Sequence, residues 1–315
     1  MTSSPPVGAS ADLGSTSVHL LVARIEGHAL EPLADESAFL GLGAAIDDRG
    51  YLGEAGRAEL AATLERYAGI ARDHGADAIT FIATEPLRRA ADGQRIVADI
   101  ERASGVAVHV LAHEEEAFLT LVGVTGGRPV TAETLVVDIG GGSSEFCDVP
   151  AHGVARAFGL RLGANRLTKR FVTTDPPTPS SLAAMTAAAD EALADAPDAA
   201  PREVVLVGGT ASNLLKVTPG GSADRVLDRA RLAAARELLL STPAADIVER
   251  FVVNETRARL LLAGAAIVDA LMRRYGAEAI RVSESGMREG TILIVDHAGR
   301  EWRDHLATLA HGWRS

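Results

Sequence analysis

The sequence predicts an α/β protein of two domains, each built on a mixed sheet, and three observations carry that expectation. Strand-like apolar runs alternate with amphipathic helical stretches along the chain, the pattern of sheets covered by helices. A motif recurs at domain-sized spacing: Asp12-Leu-Gly-Ser-Thr-Ser17 and Asp138-Ile-Gly-Gly-Gly-Ser143 carry Asp, Gly and Ser at the same offsets, too far apart for a solenoid repeat of roughly 20 to 50 residues. The length of 315 residues suits two domains of about 100 to 200 residues each.

The elements follow in order. Val7-Gly-Ala-Ser-Ala11 enters the first turn and is poor in large apolar residues, and Val18 to Arg24 leaves it as a strand. Arg57 to His74 sets Leu60, Leu64, Tyr67 and Ala71 near helical spacing, and Ile79 to Ala83 and Val106 to Leu111 read as strands. Glu114-Glu115-Glu116 precedes the apolar run Ala117 to Val122, so the three acids fall in a first helical turn, where the helix dipole favours negative charge. Gly126-Gly127-Arg128-Pro129 is the expected seam, giving domains at 1–126 and 127–315 with a ligand cleft between them. Leu135 to Ile139 and Glu145 to Val149 flank the second turn. A proline-rich connection at Asp175 to Pro179 leads to a helix near Leu182 to Ala194 and the strand Val204 to Val207. Helices follow at Arg231 to Leu240, Glu255 to Tyr275 and Trp302 to His311, the last expected to pack back on the first domain. Two open hairpins make both sheets mixed rather than parallel.

Composition narrows the function. At 47% hydrophobic and 23% charged residues, with mean hydropathy +0.12, the chain is an ordinary folded protein. Its net charge of −11 argues against long-range collection of nucleic acid or anionic lipid. A polyanion would need a local cationic strip, for which Arg88, Arg89, Arg166, Lys169 and Arg170 are the candidates. A single cysteine, Cys147, builds neither an internal disulfide nor a cysteine metal site; it fits a reducing cytoplasm and reads as a small core side chain. His113 reads as a solvated residue before its helix. Met1-Thr-Ser-Ser-Pro-Pro has no basic or apolar leader character, and no window reaches about 18 uninterrupted apolar residues. A cytoplasmic protein, without membrane or nucleic-acid partners, is expected.

Common motifs fail on inspection. There is no Gly-Lys pair for a P-loop, Ala117 stands where a zinc-protease helix needs its second histidine, and Gly141-Gly-Ser143-Ser-Glu145 lacks the glycine of a nucleophile elbow. What remains is phosphate chemistry. Gly14, Ser15 and Thr16, and Gly140, Gly141, Gly142 and Ser143, offer backbone N–H groups with little side-chain cover, the makings of anion nests; the plain alternative is two tight hairpins. Asp138 and Glu145 bracket the second turn as candidate ligands of Mg²⁺, a hard cation that takes one or two carboxylates beside phosphate. The alternative is a solvated strand-end aspartate and a strand-edge glutamate. One carboxylate of the Glu114 to Glu116 run could polarise an attacking water.

Seven segments occur in a telling order: Asp12-Leu-Gly-Ser-Thr-Ser, Ala83-Thr-Glu-Pro-Leu-Arg88-Arg-Ala, Glu115-Glu116-Ala, Val137-Asp-Ile-Gly-Gly-Gly-Ser-Ser-Glu145, Leu162-Gly-Ala-Asn-Arg-Leu-Thr168, Gly208-Gly-Thr210-Ala and Ser285-Gly-Met-Arg-Glu-Gly290. Together they resemble the exopolyphosphatase and guanosine pentaphosphate phosphohydrolase (Ppx/GppA) family, over roughly residues 10 to 295. The resemblance implies two ribonuclease-H-like domains of the actin/hexokinase/Hsp70 superfamily around a central cleft, which accounts for the repeated hairpin. It implies that Glu116 positions water, Asp138 and Glu145 lie at Mg²⁺ or Mn²⁺, Arg88 with Thr84 beside it contacts phosphate, and Gly209 and Thr210 form a third phosphate-side loop.

This chain departs from the family pattern at Thr16, where Asn is usual, at Phe118, where Arg is common, and at Asp35-Glu-Ser-Ala-Phe39, where a basic residue is expected. The last of these removes one expected phosphate contact, and the extra C-terminal helical domain of longer members is not expected. The reading is a hydrolase releasing terminal phosphate from inorganic polyphosphate or guanosine pentaphosphate, homodimeric assembly being a further expectation. The alternatives are a non-catalytic nucleotide- or polyphosphate-binding sensor and an ATP-dependent phosphotransferase on the same fold.

Overall fold

The computed structural model describes residues 5–313, apart from the side chains at 221 and 222. It divides into two units, Met1–Val130 with Ser285–Ser315, and Thr131–Glu284. The first contains β1 (Val7–Leu13), β2 (Val18–Glu26), β3 (Ala29–Ala38), α1 (Leu42–Arg49), α2 (Gly53–Asp73), β4 (Ala78–Ala83), α3 (Glu85–Arg89), α4 (Gly93–Ser104), β5 (Val108–Val110) and α5 (His113–Thr125). The second contains β6 (Thr134–Ile139), β7 (Ser144–Val149), β8 (Arg156–Leu160), α6 (Ala164–Phe171), α7 (Pro179–Leu193), β9 (Glu203–Val207), α8 (Gly208–Lys216), α9 (Gly221–Asp224), β10 (Val226–Asp228), α10 (Arg229–Ser241), α11 (Ala244–Arg250), α12 (Glu255–Tyr275) and β11 (Ala279–Val282). The chain then returns to the first unit as α13 (Met287–Ala298) and α14 (Trp302–Leu309).

The two sheets share one plan. The first runs β3-β2-β1-β4-β5, and the second repeats it as β8-β7-β6-β9-β11 with β10 added at the edge. In each, three antiparallel strands are continued by parallel ones, the ribonuclease-H-like arrangement. The repeat extends to register: Asp12 faces His19 across the first hairpin as Asp138 faces Glu145 across the second.

Helices close each sheet. In the first unit, Leu60, Leu64 and Tyr67 of α2 and Ile96 and Ile100 of α4 pack on β-strand residues such as Leu13, Leu20 and Phe81, each large side chain contributing about 1.5 to 3 kcal/mol by leaving water. In the second unit α12 is buried almost all round, from Ala258 to Tyr275, as a helix without a polar face must be.

One expectation about the first unit, its poorly apolar strand, acquires a packing reason, and the boundary between the units is corrected. Val7 to Ala11, poor in bulky residues, forms part of the central strand β1. Its small side chains are a packing requirement, since a Cβ on Gly8 would sit 2.7 Å from Cγ2 of Ile292 on α13. The span 127–315 is not one domain, because residues from Ser285 onward group with the first unit. The physical reason is a helix crossing: a Cβ on Gly123 of α5 would overlap the Gly286 carbonyl, and one on Gly290 of α13 would overlap that of Leu119. Only paired glycines let these backbones approach so closely. The outer ends of the expected spans, residues 1–4 and 314–315, lie outside the described residues.

Candidate active site

In the first unit the candidate residues gather where parallel strands end. β1, β4 and β5 are parallel neighbours, so the Gly14 turn, α3 and α5 all begin at one sheet edge, the edge at which open α/β sheets bind ligands. Gly14 closes the turn by donating to the Ser17 carbonyl at 3.1 Å. The carbonyls of Ser15 and Thr16 are taken by the amides of Gly43 (2.8 Å) and Gly41 (3.1 Å). Thr84, before α3, ties back to the end of β1 through its hydroxyl to the Leu13 carbonyl at 3.0 Å.

Arg88 and Glu116 are brought together. Glu116 is buried at 5% exposure, and Arg88 Nη1 donates both to its carboxylate and to the Leu111 carbonyl. Arg88 Nη2 lies 3.0 Å from Nδ1 and 3.2 Å from Nε2 of His113. The neighbouring acid has another task. Glu115 accepts from the Ala112 amide at 2.7 Å and pairs with Arg303 of α14. Burial alone would raise its carboxyl, but Arg303 and that amide outweigh it and hold it below the ordinary carboxylate range. Of the run Glu114 to Glu116, then, Glu115 anchors the helix and Glu116 meets Arg88.

The second unit repeats the turn with different chemistry. Gly140 donates to the Ser143 carbonyl at 3.0 Å, and the carbonyls of Gly140 and Gly141 are taken by the amides of Ala164 (3.0 Å) and Asn165 (2.9 Å) at the start of α6. In both units a following helix thus secures the turn's carbonyls, which suits an outward display of amides. Asp138 and Glu145 are cross-strand partners, and Glu145 is buried. Asp138 also abuts Gly208, where φ is +88° and a Cβ would run into the carboxylate, so glycine is required twice over. Gly208-Gly209-Thr210 opens α8 just after β9, beside β6. Thr210 is buried and nests against Gly264 of α12, which keeps α12 close to this loop. Two opposed carboxylates on one sheet face form a hard oxygen donor set of the kind Mg²⁺ or Mn²⁺ takes, so the residues fit such a cation.

The proposed cationic strip is corrected in part. Arg89 is occupied by Glu85 and by Asp47 at 2.7 Å, a structural pairing rather than a ligand contact. Arg166 Nε donates to the Gly142 carbonyl at 3.0 Å, bracing the second turn. Arg170 lies over the Phe171 ring at 4.8 Å, and Lys169 lines a cavity of about 360 Å³ with Thr174, Arg259 and Leu262. His113 is not a solvated residue before the helix; it is the first residue of α5, against Arg88. Cys147 is buried in β7, and burial pushes its thiol up to about 12, as a core side chain requires.

Two further residues take roles that tertiary packing decides. Asp35, read as a lost basic contact, pairs with Arg288 of α13 at 2.8 Å, so the Asp35 to Phe39 departure has a structural use. Arg257 packs its guanidinium on Gly209, 2.9 Å from where a Cβ would stand. No local signal marks Arg257, because α12 reaches the loop only through tertiary packing.

Comparison with known proteins matches this geometry to a family. A profile of the Ppx/GppA phosphatase family aligns with residues 21–298. Exopolyphosphatase 1 of Mycobacterium tuberculosis is 30% identical over 296 residues, covering 90% of this chain and 86% of that protein. Exopolyphosphatase 2 of the same organism is 28% identical over 315 residues, covering 90% and 97%. The crystal structure of the Aquifex aeolicus Ppx/GppA family member superposes with a TM-score of 0.80 at 25% identity, covering 93% of this chain and 99% of that one. Among the described residues, no helix is long and apolar enough to cross a membrane.

Proposed function

Because the chain belongs to the Ppx/GppA phosphatase family, we propose that it is an exopolyphosphatase-like phosphoanhydride hydrolase that removes the terminal phosphate of inorganic polyphosphate, with guanosine pentaphosphate as the second candidate substrate. The observation that carries the chemistry is the buried contact of Glu116 with Arg88. The ion pair with Arg88 fixes the orientation of the buried carboxylate, which can then accept a proton from water. Glu116 orients the water and takes its proton as the oxygen attacks the terminal phosphorus and the bridging P–O bond breaks. Arg88 and the amides of Ser15 and Thr16, of Gly141, Gly142 and Ser143, and of Gly209 and Thr210 hold phosphate oxygens, while the amides of Gly14 and Gly140, expected to join them, are spent closing their own turns, so most of the rate comes from positioning and charge neutralisation.

Asp138 and Glu145 would hold Mg²⁺ or Mn²⁺. When bound, that cation supplies charge neutralisation on the phosphate oxygens. Support for these assignments comes from the opposed carboxylates at the second turn, the closeness of Gly208 to Asp138 and the likeness to curated exopolyphosphatases.

The test is phosphate release measured in parallel from long-chain polyphosphate, guanosine pentaphosphate and ATP, with and without Mg²⁺. Release from polyphosphate that depends on Mg²⁺ supports the reading. Release from none of the three, with polyphosphate still bound, would point to a sensor. Turnover of ATP only with an acceptor hydroxyl would point to a phosphotransferase.

A further inference from the structure

We infer that His19 is a positioning residue for the first phosphate turn, tethering Ser17 so that the amides of Ser15 and Thr16 keep one arrangement. The inference rests on the reading of those two amides as phosphate contacts. β2 carries His19 between Asp12 of β1 and Ser37 of β3, its partners in register on either side. The imidazole bridges two hydroxyls: Nε2 lies 2.6 Å from Oγ of Ser17, and Nδ1 lies 2.8 Å from Oγ of Ser37. Both are hydrogen-bond lengths. A hydroxyl can donate or accept, so each contact is satisfied whichever ring nitrogen carries the proton.

Ser17 is where this bridge acts on the turn. It is buried at 3% exposure, and its carbonyl accepts the Gly14 amide that closes the turn. The carbonyls of Ser15 and Thr16 are held by the amides of Gly43 and Gly41, so a tether on the Ser17 hydroxyl fixes the last residue of the turn as well. A nest held in this way does not have to be ordered when an anion arrives. The second unit reaches the same end by another route. There Arg166 Nε braces the turn through the Gly142 carbonyl at 3.0 Å, and the residue facing Asp138 is Glu145. The strand position that offers a cation ligand in the second unit thus becomes a turn support in the first. Ser37, from the Asp35 to Phe39 stretch, steadies the ring from the neighbouring strand.

The test measures KM for polyphosphate and kcat separately in His19→Gln, His19→Asn, His19→Ala and Ser37→Ala, with thermal melting as a check on the fold. The terminal amide of Gln stands where Nε2 stood and can keep the Ser17 bond, whereas that of Asn stands near Nδ1 and cannot. The expected result is a KM within about twofold of the parent for His19→Gln, and raised about threefold to tenfold for His19→Asn and His19→Ala, the factor one hydrogen bond supplies, with kcat changing less. Ser37→Ala should raise KM less than His19→Ala does, and should add nothing in the His19→Ala background, because Ser37 acts through the ring. Parental KM in His19→Ala would overturn the inference. So would rescue by Asn but not by Gln, equal loss in all three His19 variants, or a KM that merely tracks the melting temperature. A second measurement follows the Ser15 and Thr16 amides by NMR as polyphosphate is added to Glu116→Gln protein, in which the polymer should persist. If neither amide shifts, their phosphate role falls first and this inference falls with it; if they shift while His19→Ala keeps the parental KM, the inference alone falls.

Discussion

At the scale of single residues, the acidic run that opens α5 divides its labour by partner. Glu115 faces the Ala112 amide and Arg303, while Glu116 is buried against Arg88. Glu116→Gln should preserve the fold and lower kcat by about 10² to 10⁴, the usual contribution of a general base; steady-state phosphate release checks it, and parental turnover would return Glu116 to a purely structural role. Asp138→Asn should raise the Mg²⁺ concentration for half-maximal activity, because a hard cation loses a charged oxygen. An unchanged metal titration would remove Asp138 from the metal site. The ordered motifs made both residues legible in the sequence. The contact of His113 leaves no trace in the sequence, since a histidine beside three glutamates looks solvated until α3 brings Arg88 against its ring.

At the scale of elements, the crossing of α5 with α13 is what keeps Glu116 in place. Glycine in a helix interior costs about 1 kcal/mol relative to alanine, so Gly290→Ala would stabilise α13 if space allowed. The overlap of a Cβ with the Leu119 carbonyl involves backbone, which cannot rotate aside. Overpacking of that kind costs about 1 to 3 kcal/mol or more, and it exceeds the gain. Gly290→Ala should therefore lower the urea midpoint and reduce phosphate release together. A raised midpoint would show that the two helices can separate at no cost. The sequence offered Ser285 to Gly290 only as a motif, because a helix that packs on strands nearly three hundred residues earlier leaves no local trace of its partner.

At the scale of the whole molecule, a depressed imidazole and depressed carboxyls give a stability that falls in two steps on acidification, opposed only in part by the Asp296 carboxyl, which burial raises. His109 of β5 packs edge-on to Trp302 at 5.4 Å, and burial, with Arg303 nearby, holds its imidazole below the ordinary value. Such a group binds its proton more readily when unfolded, so stability is lost as pH falls through about 6.5, the unfolded value. The carboxyls follow. For Asp92, burial opposes but the amides of Leu52 and Gly53 and the Arg57 side chain prevail, leaving it depressed; Glu115 is depressed likewise. Their contribution is complete above the ordinary carboxylate range, about 4, and disappears as pH falls through the lower folded values. Urea midpoints from pH 8 to 3 should show both steps, and His109→Phe should abolish only the upper one. A flat profile from pH 7.5 to 5.5 in the parent would contradict the role of His109.

By itself the sequence determined the α/β class, the repeated turn and most residues proposed to meet phosphate and metal, because glycine at a tight turn and a carboxylate beside it are local requirements, visible as spacing. Helices such as Glu255 to Tyr275 were equally legible, since periodic burial is written into consecutive residues. Tertiary structure alone decided that the chain returns after Glu284 to complete its first unit, that Asp35 serves Arg288, that Arg89 is spent on Glu85 and Asp47, and that Arg88 meets His113. Each of these depends on which backbones can approach one another. That is governed by close packing between segments distant in sequence, where a single absent Cβ decides which surfaces meet.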